Sequence, residues 1–234
     1  YAVADGMGGY AHGGVASALA LKVLFDVFYG ANAMPILKSL QRGVESANLG
    51  VYQAAQRLNA GRMGTTLTAA SVMGNRLYLA HVGDSRAYLL RGGSLLQLTR
   101  DHSLVAEQVR RGILTVAEAE ESDMQSVLLR ALGAQPEIEV DAEEHLLFPR
   151  DVLLLCSDGL TRMVTEPEIA GVLQAETDPV RAAEELVGLA NERGGPDNIT
   201  VVIVRLYKES NGWFSWLRRG ARKNLSQNGN AGGN

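Results

Sequence analysis

Two pairs of short apolar segments, each joined by a two-residue turn, occupy the middle of the chain. Thr65–Met73 and Arg76–Val82 flank Gly74-Asn75, and Arg86–Arg91 and Ser94–Leu98 flank Gly92-Gly93. Turns this short connect only antiparallel neighbours, so these segments form a meander. Successive side chains on a strand point to opposite faces. Thr68, Ala70 and Val72 therefore share one face, and Leu67, Ala69 and Met73 share the other. Both sets are apolar or small, so the sheet has to be covered on both sides.

The flanking segments supply that cover. Val15, Leu19, Val23 and Val27 recur every fourth residue and predict a helix from about Val15. A longer helix opens near Pro35, a good first-turn residue. Its Leu37, Leu40, Val44, Ala47, Val51, Ala54 and Leu58 step alternately by three and four. Gly43 and Gly50 weaken a free-standing coil, so this stripe is expected to lie on a sheet. Residues 102–135 read as helical and polar, with a Thr115–Glu118 capping box. Strands are expected at Ile138–Val140, His145–Phe148, Val152–Cys156 and Ile199–Leu206. Thr165 with Glu168 caps a helix that buries Ile169, Val172 and Leu173. Asp178-Pro179 opens another, expected to bury Val180, Ala183, Leu186, Val187 and Ala190.

Composition narrows the class. With 234 residues, 46% of them hydrophobic, the chain can build a sizeable core. The single cysteine, Cys156, cannot form an internal disulfide, which points to a reducing, cytoplasmic compartment. No uninterrupted apolar run approaches the ~20 residues of a membrane span. The net charge of −4 is unevenly spread. Residues 207–234 carry Lys208, Arg218, Arg219, Arg222 and Lys223 against Glu209, so the body is more acidic than the whole. That balance argues against nucleic acid as a partner and suits a protein that collects cations. The Gly-, Asn- and Ser-rich segment 207–234 reads as a flexible tail or linker. Its Trp213-Phe214-Ser215-Trp216-Leu217-Arg218-Arg219 has the composition for weak membrane contact.

Three aspartates end or precede apolar strand segments. Asp5 follows Ala2-Val3-Ala4, Asp158 follows Val152–Ser157, and Asp197 stands in Gly194-Gly195-Pro196-Asp197-Asn198 before the last strand. A carboxylate at the mouth of a hydrophobic strand is half desolvated, and convergence of several adds repulsion. A divalent cation relieves both penalties, and hard oxygen ligands without His or Cys favour magnesium or manganese. Taken singly, each Asp-Gly or Asp-Asn pair reads equally well as the start of a turn. The residues alone therefore stop at acidic strand ends able to serve a hard metal.

Five ordered motifs carry a resemblance. Val3-Ala4-Asp5-Gly6-Met7-Gly8-Gly9, Val82-Gly83-Asp84-Ser85-Arg86, Thr99-Arg100-Asp101-His102-Ser103, Cys156-Ser157-Asp158-Gly159-Leu160 and Gly195-Pro196-Asp197-Asn198 are similar to those of the metal-dependent protein phosphatase (PPM) family, the type 2C serine/threonine phosphatases. The wording of the first motif resembles the bacterial branch. The resemblance implies an α+β fold, a four-layer α/β/β/α sandwich with two central antiparallel sheets, over residues 1–206. It implies two or three manganese or magnesium ions. Asp5 would bridge two of them, the Gly6 carbonyl would serve the second, and Asp158 and Asp197 would hold the first. Asp101 would serve a third, and Asn198 would support the site. The implied reaction is hydrolysis of phosphoserine and phosphothreonine in proteins by a metal-bridged hydroxide. The implied partners are phosphorylated proteins, namely serine/threonine kinases or their substrates, met by a monomer.

Residues 111–134 correspond to the family's flap, a mobile substrate-contact element that Arg130 is expected to brace. His12, two residues beyond Tyr10, is the candidate general acid. Asp84 and Arg86 are expected to pair with each other or with backbone at a strand turn, while His81, His102 and His145 read as structural. The family's first strand, with a phosphate-binding arginine and an acidic pair, would lie upstream of Tyr1. Without it, the second metal and the substrate phosphate are expected to bind weakly. The competing reading is a catalytically impaired phosphatase-like domain that binds phosphoproteins or relays a signal.

Overall fold

The computed structural model describes residues 1–30, 34–60 and 63–207. The basic, aromatic segment from Lys208 onward, and with it the expected tail and its membrane contact, lies outside the described residues. The chain opens with β1 (Ala2–Val3) and β2 (Gly6–Met7), followed by α1 (Gly9–Gly30) and α2 (Ile36–Arg57). The meander is β3 (Gly64–Thr65), β4 (Leu67–Met73), β5 (Arg76–Val82), β6 (Arg86–Arg91) and β7 (Ser94–Gln97). Two short helices, α3 (Leu104–Arg110) and α4 (Val116–Glu120), lead to β8 (Asp141–Leu146) and β9 (Val152–Cys156). Helices α5 (Asp158–Thr161), α6 (Glu166–Ala175) and α7 (Pro179–Glu192) precede the last strand, β10 (Val201–Arg205).

Two four-stranded antiparallel sheets result, ordered β1-β4-β5-β8 and β10-β9-β6-β7, with β2 and β3 forming a small ribbon. Both glycine turns close hairpins, pairing Met73 with Arg76 and Arg91 with Ser94. Side-chain alternation sorts residues into layers. Leu67, Ala69, Ala80 and Val82 face Ala16, Ala20 and Leu24 of α1 and Leu40, Val44, Ala47 and Val51 of α2. Ala70, Leu77 and Leu79 face the second sheet through Ala87, Leu89, Leu153 and Leu155. Val152, Leu154 and Cys156, on the far side of β9, pack under Ile169, Leu173 and Leu186. The order is helices, sheet, sheet, helices, so the apolar stripe on α2 lies on a sheet. Burying a leucine of this size contributes roughly 1.5–3 kcal/mol, and β9 is buried along its whole length.

Several boundaries differ from the sequence reading. Helix α1 starts at Gly9, six residues before Val15, because its first turns press against the β2 backbone. Residues 102–135 are two short helices and then turns, anchored by bridges from Ser103 to Leu128 and from Thr65 to Leu132. In place of strands at Ile138–Val140 and His145–Phe148 there is one, β8, whose Ala142 pairs with Ala80. Ile138 and Val140 are apolar because they pack on the α1–α2 core from a loop. The capping boxes at Thr115–Glu118 and Thr165–Glu168 form as expected. Asp178 caps α7, which buries Ala182, Leu186 and Ala190 but leaves Val180 exposed.

Candidate metal centre

Strand register brings distant aspartates to one end of the sandwich. In the first sheet Val3 pairs with Thr68 and Leu67 with Val82, so Asp5, Thr66 and the Gly83-Asp84 turn emerge together. In the second sheet Val201 pairs with Cys156, which sets Asp158 beside the segment 197–200. The backbone of Asp5 is fixed before its carboxylate does anything. Its N–H donates to Thr66 Oγ1 (2.9 Å), and its carbonyl accepts from Thr66 N (2.8 Å) and Thr65 Oγ1 (2.8 Å). Thr66 Oγ1 also contacts Ser85 Oγ at 2.7 Å, which ties the Asp5 turn to the Asp84 turn. On the other side Ser157 Oγ donates to the Asn198 carbonyl (3.0 Å) and accepts from Thr200 N (3.0 Å). Position 159 has to be glycine, since any Cβ there would collide with the Asn198 carbonyl oxygen.

The electrostatics are those of crowded carboxylates. Burial, then the charges of Asp158, Asp197 and Asp84, raises the Asp5 carboxyl to about 7. Burial, then Asp158 and Asp101, raises Asp84 to about 7. Asp158 also shifts upward, for burial and for Asp197, against the pull of Arg162, whose Nη2 lies 2.6 Å from Asp158 Oδ2. The charges of Asp5 and Asp158 act on one another, and each resists ionising beside the other. Among the described residues no three His, Cys, Asp or Glu side chains are already drawn to ligating distance of a common point. The donor set still fits a hard divalent cation: it is all oxygen, partly desolvated and over-charged for a single guanidinium.

Asp5, Asp158 and Asp197 thus share one neighbourhood. Gly6 is next to it, its carbonyl facing the backbone of Gly13 in α1. Asn198 contributes through its backbone, its N–H donating to Asp197 Oδ1 at 2.8 Å. Asp101 is held by its own set of donors. Both its oxygens accept from Arg86, at 3.0 Å from Nε and 2.7 Å from Nη2, and Gln97 Nε2 adds a third donor at 3.0 Å. Arg86 therefore pairs with Asp101 and not with Asp84, and Asp84 is the carboxylate whose charge meets Asp158. His12 is exposed and, among the described residues, makes no hydrogen bond or ion pair. Cys156 is fully buried and its thiol is pushed up to about 12, which removes it as a nucleophile.

Sequence reasoning gave Thr65 and Thr66 no part in the site and read Asp84 as a paired turn residue. The available signal was Gly64-Thr65-Thr66 ahead of an apolar strand, where two hydroxyls serve a turn better than they serve a core. A cavity of about 760 Å³ begins at Met7 and Gly8, one residue beyond Gly6, and is lined chiefly by Tyr52, Met63 and Leu132. Its lining mixes apolar side chains with Gln56 and Asn59, and it contains none of the cluster's carboxylates.

A family model described as protein phosphatase 2C matches residues 1–191. The chain is 40% identical to the serine/threonine phosphatase stp of Listeria welshimeri over 207 residues, covering 86% of this chain and 82% of that protein. It is similar to the crystal structure of the Mycobacterium tuberculosis serine/threonine phosphatase PstP/Ppp, with a TM-score of 0.82, 39% identity and 88% of each chain covered. It is also similar to the catalytic domain of PstP in complex with two manganese ions, with a TM-score of 0.80, 38% identity, and 88% of this chain and 87% of that one covered.

Proposed function

The chain belongs to the protein phosphatase 2C family, and from that premise we propose that it hydrolyses phosphoserine and phosphothreonine in proteins with manganese or magnesium. The observation that carries this reading is the meeting of Asp5, Asp158, Asp197 and Asp84 at one end of the sandwich, where burial first and neighbouring carboxylates second raise the Asp5, Asp84 and Asp158 carboxyls. Asp5, the Gly6 carbonyl, Asp158 and Asp197 would hold two cations and Asp101 a third, with the Asp84 carboxylate facing Asp158 and Asp101. When bound, the cations supply Lewis acidity toward phosphoryl oxygens and a lowered pKa for water. The protein's share is positional. Thr65 and Thr66 fix the Asp5 backbone, and Ser157 and Gly159 let the Asp197 turn approach Asp158. Arg162, 2.6 Å from Asp158 Oδ2, offsets part of the burial penalty on that carboxylate.

No side chain here serves as a covalent nucleophile, since Cys156 is buried inside a strand. Its being the chain's single cysteine supports a reducing, cytoplasmic setting. Phosphoproteins are the substrates, and we assign serine/threonine kinases or their targets as the natural class. No observation favours the impaired, purely binding alternative, because a binding module has no use for mutually repelling carboxylates. The test is phosphopeptide hydrolysis with manganese, with chelator, and with Asp158→Ala. Turnover should require manganese and fall at least a hundredfold on substitution. Turnover that ignores chelator, or survives Asp158→Ala, overturns the proposal.

A further inference from the structure

Asp141, the first residue of β8, stands between two parts of the chain that are far apart in sequence. Arg130 Nη1, at the end of the flap, donates to Asp141 Oδ1 at 2.8 Å. His102 Nε2 meets Asp141 Oδ2 at 3.1 Å. The tautomer follows from the other ring nitrogen. His102 Nδ1 accepts the Gly83 N–H at 3.1 Å, so in the neutral ring the hydrogen sits on Nε2 and is donated to Asp141.

His102 holds Gly83 from two sides. Its ring takes the Gly83 N–H, and its own N–H donates to the Gly83 carbonyl at 2.8 Å. Its carbonyl in turn accepts the Leu129 N–H of the flap at 2.7 Å. Gly83 lies at φ +112°, and a Cβ there would stand 2.6 Å from Thr66 Cβ. A glycine turn has little conformational preference of its own. The grip of His102 therefore sets its shape, and the next residue is Asp84.

We propose that Asp141 is a positioning residue for the metal centre: by orienting His102 it fixes the Gly83-Asp84 turn, and by holding Arg130 it joins the end of the flap to that same turn. Flap and turn then behave as one unit, so that disturbance at Arg130 reaches Asp84 through two side chains. This inference rests on reading the acidic cluster as a metal site. Partners behind metal ligands typically alter affinity by about 10- to 100-fold when removed.

The experiment compares wild type, Asp141→Ala and the milder Asp141→Asn with Arg76→Ala, which breaks a different ion pair on the same strand pair, that of Arg76 with Glu144. Amide hydrogen exchange is followed at Gly83 and Leu129 in the metal-free full chain, and manganese affinity is measured by calorimetry. Asp141→Ala should speed exchange at both amides together, by about fivefold for one lost hydrogen bond. It should also weaken manganese binding by about tenfold or more, with kcat recovering at saturating manganese. Should Asp141→Ala fail to fold, Asp141→Asn should move both readouts in the same direction. A folded Asp141 variant whose Gly83 exchange and manganese affinity match those of Arg76→Ala overturns the proposal. Wild type that binds no manganese defeats the metal-site reading instead, while the exchange data still decide the link from Asp141 to Gly83.

Discussion

Asp5→Asn should make the metal-free protein more stable while abolishing its activity. The folded state holds the Asp5 carboxyl at about 7, against an ordinary value of 3.8, through burial and the charges of Asp158, Asp197 and Asp84. Between about pH 4 and pH 7 the folded protein therefore keeps a proton that the unfolded chain has lost, and stability falls as pH rises through that window. Above it the full penalty applies. At about 1.4 kcal/mol per pKa unit the shift corresponds to roughly 4 kcal/mol, and solvent screening of this partly exposed carboxyl reduces it to on the order of 2 kcal/mol. A neutral amide escapes that penalty. Urea unfolding with chelator present should therefore show Asp5→Asn more stable than wild type at pH 8, with less than half that gain at pH 5. Manganese should reverse the order, because an ion at a hundred times its dissociation constant stabilises by about 2.7 kcal/mol and only the wild type holds it well. If the metal-free variant is less stable than wild type at pH 8, or gains equally at both pH values, the carboxylates do not repel one another as described.

His81 is buried, donates from Nε2 to the Arg100 carbonyl (3.0 Å) and is lowered to about 4, so its contribution is full above about 6.5 and lost as pH falls toward 4. The stability gap between wild type and His81→Gln, from urea midpoints, should narrow by about 2 kcal/mol between pH 7.5 and pH 4.5. Gly83→Ala meets both a left-handed backbone and Thr66 Cβ at 2.6 Å. It should cost about 3 kcal/mol and lower the melting temperature by roughly 6–12 °C in a calorimetric scan. Arg86→Ala leaves the half-buried Asp101 with only Gln97 as a side-chain donor, and should destabilise by about 2–3 kcal/mol in chemical denaturation. The double substitution Arg86→Met/Asp101→Leu should recover most of that loss.

Much of the architecture is legible in the sequence because burial on both faces leaves a continuous apolar run. Val152–Cys156 can be nothing but a central strand, and the two glycine turns fix the β4–β5 and β6–β7 registers, one in each sheet. Strand β8 is less legible because it is an edge: Asp141-Ala142-Glu143-Glu144-His145-Leu146 pairs only with β5, and Glu143, Glu144 and Leu146 are exposed, so no apolar alternation marks it. The start of α1 is hidden for a related reason. Its Gly13 suits close approach to the β2 backbone, and a glycine-rich stretch read alone signals a turn.

The site divides in the same way. Asp5, Asp158 and Asp197 announce themselves by ending or preceding apolar strands. Asp84 does too, but Arg86 two residues later offers an apparent partner, and only the fold reveals that its guanidinium turns to Asp101. Thr65, Thr66 and His102 act through hydrogen bonds to backbone carried by other elements, a relation that local sequence does not encode.

Calorimetric titration of manganese into the chelator-treated chain at pH 6.5, in buffers of different ionisation enthalpy, bears most directly on the carboxylate cluster. Saturable binding should release protons, since Asp5 and Asp84 hold theirs at about 7 in the absence of metal, and Asp197→Ala should weaken it. Binding that releases no proton and is unchanged by Asp197→Ala would mean that the ions sit elsewhere and that the cluster is only a set of turns.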